Sequence, residues 1–216
     1  MTNSELIDAL SDDLRLTYGC HTAILYGSRA RDDWDATSDI DVIAFRDVGD
    51  GQRVASRWNG VFLDLFLHST NDTVEPSWIR INGDRVLFQA DGFGDKVLDE
   101  VKALFDAGPE EVPASELHVR KVWAEKMLER AAKGDVEGNY RRHWLLFTLL
   151  EDYFAARGEW YLGPKQSFRT LSESASEHFS LFEAAMKPGA SLAAVKEVIG
   201  VTFEGVYVAA RGCAAG

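Results

Sequence analysis

Three acids placed on apolar strand-like runs constrain this chain more than any other feature. Ala23-Ile24-Leu25-Tyr26 reads as a first strand, and Ile40 to Phe45 as a second that carries Asp39 and Asp41 at alternate positions. A third acid, Asp64, interrupts Val61-Phe62-Leu63-Asp64-Leu65-Phe66-Leu67. Successive strand side chains point to opposite faces, so Asp39 and Asp41 share a face about 6.5 Å apart, with Ile40 and Val42 turned into a core. By the same alternation Leu63, Leu65 and Leu67 take one face, and Phe62, Asp64, Phe66 and His68 the other. A bare carboxylate on such a strand is costly to bury. If the Asp64 strand pairs beside the Asp39 strand, three carboxylates converge at one sheet edge and need a cationic partner. Mg²⁺ suits them: it takes hard oxygen ligands, keeps several waters and shares substrate phosphates. Two such ions roughly 4 Å apart can stabilise both oxygens of an in-line displacement.

Gly27-Ser28, directly after the first strand, supplies a complementary half. A glycine there lets backbone approach a phosphate. Turn N–H groups and the Ser28 hydroxyl face the anion. Arg29 and Arg31 stand within reach of its charge.

Gly27-Ser28, ten intervening residues, then Asp39-Ile40-Asp41 resembles the signature of the DNA polymerase beta-like nucleotidyltransferase superfamily. Asp64 is similar to that family's third carboxylate. The resemblance covers about residues 21–68 and is nearest to small bacterial members, either antibiotic (aminoglycoside-type) nucleotidyltransferases or the minimal transferases of toxin–antitoxin pairs. One departure is Asp32-Asp33, where many relatives carry a glycine. The resemblance implies that Asp39, Asp41 and Asp64 ligate metal, with two Mg²⁺ ions, while Gly27, Ser28 and Arg29 hold the β- and γ-phosphates of an NTP, ATP being the expected donor.

The expected fold class is α+β: an N-terminal nucleotidyltransferase mixed β-sheet with flanking helices over 1–108, then a C-terminal helical bundle over 114–216. Pro, Gly and acids cluster in the linker Ala107-Gly108-Pro109-Glu110-Glu111-Val112-Pro113. In the first part, apolar periodicity predicts a helix over 2–17 (Leu6, Ile7, Leu10, Leu14). A short helix over Asn71–Arg80 broken by Pro76, a strand over Val86–Gln89 and a helix over Lys96–Phe105 follow, and Gln52–Trp58 is ambiguous. Asn59-Gly60 signals a hairpin. In the second part, helices are expected from Ser115 as cap to about Lys133, over Val136–Arg157, over Ser167–Lys187, and from Ser191 to near Arg211.

Two residues of the helical part are further site candidates. Trp144, Phe147, Leu150 and Phe154 recur at helical spacing and predict a buried face containing Glu151. An acid there is paired, for instance to Arg141 or Arg142, or faces a cleft. Desolvation raises its proton affinity and suits it to be general base for an acceptor hydroxyl. Glu75 is the second candidate base. Lys165, in Gly163-Pro164-Lys165, resembles a nucleotide-binding lysine of antibiotic-type relatives and would grip outer phosphates with Arg169 in support. Trp160 and Tyr161 default to core packing, and Trp34 either covers a base or anchors its loop.

Net charge is −12. Residues 1–110 hold 10 Lys/Arg against 21 Asp/Glu, and residues 111–216 hold 13 against 14. That acidity argues against a nucleic-acid partner, which needs basic surface. It favours a cationic acceptor or simple solubility. No run is long enough to cross a membrane. Met1–Glu5 lack signal-peptide features, and Cys20 and Cys213 show no framework or metal spacing, so a cytoplasmic monomer or homodimer with reduced thiols is expected. The resulting expectation is a transferase moving a nucleoside monophosphate from an NTP to a hydroxyl of a small, aminoglycoside-like acceptor, with release of pyrophosphate. The competing expectations are an antitoxin-like enzyme that AMPylates a partner protein, and a catalytically silent nucleotide-binding relative.

Overall fold

The structure is a computed structural model that describes residues 2–206. It divides into two units, residues 1–107 and 108–216.

The first unit is built on a mixed five-stranded sheet. Its strands are β1 (Thr22–Tyr26), β2 (Ile40–Arg46), β3 (Gln52–Trp58), β4 (Val61–Ser69) and β5 (Arg85–Phe88), in the order β3-β4-β2-β1-β5. The strands β2 and β4 run parallel, and the other neighbours are antiparallel. Asn59 (φ 48°) and Gly60 (φ 85°) form the two-residue turn between β3 and β4, where positive φ at both positions matches the twist of a hairpin. The ambiguous stretch is thus an edge strand.

Each sheet face is covered. One face presents Leu25, Val42, Leu63 and Leu65 to Leu6, Ile7, Leu10 and Leu14 of α1 (Asn3–Leu16). Thr2 caps that helix through a reciprocal pairing with Glu5. The other face presents Ile24, Tyr26, Ile43 and Phe45 to Val97 and Val101 of α2 (Phe93–Ala107) and to Trp78 and Ile81 of a 3₁₀ segment, Pro76–Ile81. That segment is all that forms of the helix expected over 71–80. Asp72 holds its end in a turn instead: its carboxylate accepts the Ser69 N–H at 3.1 Å and meets His68 Nδ1 at 3.0 Å. Pro76 then keeps Glu75 extended (φ −116°, ψ 158°).

The second unit is helical: α3 (Ala114–Ala131), α4 (Val136–Ala155), α5 (Pro164–Ser174), α6 (Ser176–Met186) and α7 (Leu192–Thr202). Its core joins Leu145, Leu149, Tyr153, Phe182, Val195 and Val198. Three expectations change here. Pro113, not Ser115, precedes the first turn of α3. The helix expected over 167–187 is two, parted at Ala175 (φ −146°, ψ 57°). The Ser172 and Ser174 hydroxyls donate to the carbonyls of Arg169 and Thr170, a pairing that bends and weakens a helix end. The last helix stops at Thr202, before Gly205 at φ 78°, and its expected end near Arg211, like Cys213, lies outside the described residues. The fold is α+β, a mixed sheet with flanking helices followed by a helical region. No described helix is long and apolar enough to cross a membrane.

Candidate functional site

Strand register brings two of the acids side by side. Asp41 pairs with Asp64 across the parallel strands and with Tyr26 across the antiparallel ones. Alternation turns Asp41 and Asp64 away from the α1 side, onto the face of Tyr26, Ile43 and Phe66. Asp39 immediately precedes β2 and is exposed. The three acids interact: burial first, then the negative charges of Asp39 and Asp64, push the Asp41 carboxyl up to about 6.

The three carboxylates are nevertheless not drawn to one point. Among the described residues no three His, Cys, Asp or Glu side chains are gathered tightly enough to hold a metal ion. Asp64 instead accepts two hydrogen bonds, both at 2.8 Å, from the guanidinium of Arg53 on β3. That forked pairing is the geometry in which arginine binds carboxylate best. Sequence reasoning missed Arg53. The signal existed, because the Asn59-Gly60 turn fixes Ala55 opposite Asp64 and Arg53 opposite Phe66, one diagonal step away.

Gly27 lies in the left-handed region that favours glycine, against Asp41. Its φ is 78°, and a Cβ there would lie 2.5 Å from Asp41 Oδ2. Its backbone lies near Asp84, another acid the sequence reading missed. The Asp84 side chain is 4% exposed and stands 3.9 Å from the Arg31 guanidinium. Burial pushes its carboxyl up to about 6, against the pull of Arg31. Ser28 is half-buried at the start of the turn, and Asp32 takes φ 59° where glycine was the family expectation. Aspartate tolerates this conformation better than most residues.

Arg29 also departs from its expected role. It is 4% exposed, so it does not project toward a phosphate. Its guanidinium donates to the carbonyls of Ser38 (2.9 Å) and Asp39 (3.1 Å) and to Asn3 Oδ1 (2.7 Å). It therefore ties the loop before β2 to α1. Trp34 lies 4.9 Å from that guanidinium and anchors the same loop.

Glu151 and Lys165 belong to the second unit. The buried side of α4 is Leu145, Leu146, Leu149, Leu150, Tyr153 and Phe154, whereas Trp144 and Phe147 are 45% and 57% exposed. The stripe was misread because apolar residues occupy two adjoining helix faces. Glu151 is half-buried on the boundary, and burial, then Asp152, raises its proton affinity. The expected arginine partners are engaged elsewhere: Arg141 with Glu137 at 2.7 Å, Arg142 with the Ala185 carbonyl at 3.3 Å. The buried acid of this helix is Asp152, which accepts from Arg120 at 3.1 Å. Lys165 is exposed in the first turn of α5.

No family model matches the chain, and no curated protein is similar to it. Among solved structures it is similar to a nucleotidyltransferase-like protein from Exiguobacterium sibiricum 255-15, with 9% identity, a TM-score of 0.41, and coverage of 93% of this chain and 74% of that one. The likeness is too slight to decide the fold, which rests on the strand order and registers above.

Proposed function

We propose that this chain is a metal-dependent nucleotidyltransferase. One observation carries the reading: Asp41 and Asp64 stand in register on neighbouring parallel strands, on one sheet face, with Asp41 packed against Gly27. The donor set fits Mg²⁺. Its groups are hard carboxylate oxygens, and Asp41 is half-buried between the negative charges of Asp39 and Asp64. Asp39 and Asp41 would hold the ion, and Asp64 would join them on releasing Arg53. The bound metal supplies charge neutralisation for an in-line displacement at phosphorus.

In the reaction, the acceptor hydroxyl oxygen bonds to the α-phosphorus of an NTP, with ATP the expected donor. The bond to pyrophosphate breaks, and the hydroxyl proton passes to a carboxylate base. Within the first unit Glu75 is the candidate, through its place in the lining of a pocket on the same sheet face. Ser28 remains the candidate of this unit for phosphate contact.

An aminoglycoside acceptor agrees with the acidity of residues 1–110 but not with the two arginines nearest the acids. A side chain of a partner protein is a second acceptor class. Exposed Tyr140, Trp144 and Phe147 on α4 favour it, being large apolar groups that a partner surface could cover. The test is incubation with Mg²⁺ and ATP labelled at the α-phosphate, with an acceptor panel and then with lysate. Label on a small molecule or a protein band supports the reading and names the acceptor class. ATP that binds and stays intact under every condition contradicts it.

A further inference from the structure

We propose that a pocket in the first unit, on the sheet face that carries Asp41 and Asp64, binds a small molecule with a planar ring and an anionic substituent. It deepens the transferase reading and rests on it only for what the ligand does once bound.

The pocket measures about 310 Å³, at the small end for ligand sites. Its floor is Ile43 and Phe66, the next residues on that face after Asp41 and Asp64, so it begins about 7 Å from the acids. Trp78 and Ile81 of the 3₁₀ segment form a wall. These flat apolar surfaces suit a ring.

The pocket's lining holds more arginine than acid. Arg53 and Arg80 both line it, against one acid, Glu75. Two arginines at one cavity stand out in a chain of net charge −12, even with Asp64 offsetting Arg53. Planar guanidinium forks select carboxylate or phosphate over other groups. Both are held in place. Arg80 Nε donates to the Ser77 carbonyl at 3.1 Å, while Arg53 lies 5.0 Å over the Phe66 ring. Arg53 also holds Asp64. An anion in the pocket therefore competes with Asp64 for Arg53, linking occupancy of the pocket to release of the third acid.

This chemistry has two sources, the base and phosphate of the nucleotide donor or a hydroxylated aromatic acid as acceptor. The test uses proton–nitrogen correlation spectra of the full chain without metal, reading the Trp78 indole, which W78F identifies. Adenosine monophosphate and 4-hydroxybenzoate are titrated separately. A saturable shift of the Trp78 indole with the first probe assigns the donor, and with the second the acceptor. Either should weaken about tenfold or more in R80A, with partial recovery in R80K. If R80A loses spectral dispersion, R53Q carries the same expectation. A Trp78 indole unmoved by both probes at millimolar concentration overturns the proposal, as does binding indifferent to the arginine variants. Turnover of labelled ATP without pocket binding refutes the pocket alone, and pocket binding without turnover refutes the transferase alone.

Discussion

Replacing Asp41 with Asn should stabilise the protein at neutral pH, although it removes a carboxylate central to the proposed site. Burial and the charges of Asp39 and Asp64 raise the folded-state value to about 6 from an ordinary 3.8. A gap of about two pH units corresponds to about 3 kcal/mol against the charged form. Partial exposure screens this to about 1–2 kcal/mol. The sign follows from proton uptake: the folded state binds this proton more tightly than the unfolded one. The penalty is absent below about pH 4, grows between about 4 and 6, and is complete above. Urea denaturation of wild type and D41N in metal-free buffer should show the variant about 1–2 kcal/mol more stable at pH 8 and little different at pH 4. A variant less stable than wild type at pH 8, or a difference equal at both pH values, would refute the reasoning. Such a penalty is expected where a site is built for a ligand that the bare protein lacks.

Other substitutions probe the supports of the site. G27A should cost about 1–3 kcal/mol, from the left-handed backbone and the displaced Asp41 carboxylate, and G27A combined with D41A should recover part of that by thermal melting. R29A removes a buried guanidinium from three acceptors and should cost about 2–4 kcal/mol, with faster amide exchange across residues 29–39. R120A leaves Asp152 buried without its partner and should cost about 2–3 kcal/mol at pH 7, less toward low pH where Asp152 protonates. D152N in the same background should restore most of the loss.

What the sequence revealed follows how local each signal is. The strands β1, β2 and β4 were legible because Ala23–Tyr26, Ile40–Phe45 and Val61–Leu67 are apolar runs with acids at fixed parity, and parity alone assigns faces. The strand β3 was not, since Gln52–Trp58 lies at an edge and mixes arginines with small residues. Asp41 was readable from its spacing to Asp39 and Gly27. Arg80 and Asp84 were not, because only the tertiary fold carries the 3₁₀ segment and the turn before β5 back to the Gly27 loop. Arg29 was misjudged for a related reason: a motif position says which side chain is near a loop, but not whether that loop's own carbonyls consume its donors. On α4 the apolar residues outnumber one face, so periodicity chose Trp144 and Phe147 where the core takes Leu145 and Leu149.

The central claim is that Asp39, Asp41 and Asp64 bind divalent metal together with a nucleotide. Electron paramagnetic resonance of Mn²⁺ titrated into the full chain with a non-hydrolysable ATP analogue measures this directly. The account predicts saturable Mn²⁺ binding that D41N and D64N each weaken at least tenfold, with both variants still folded by circular dichroism. Mn²⁺ binding of equal affinity in wild type and both variants would contradict it.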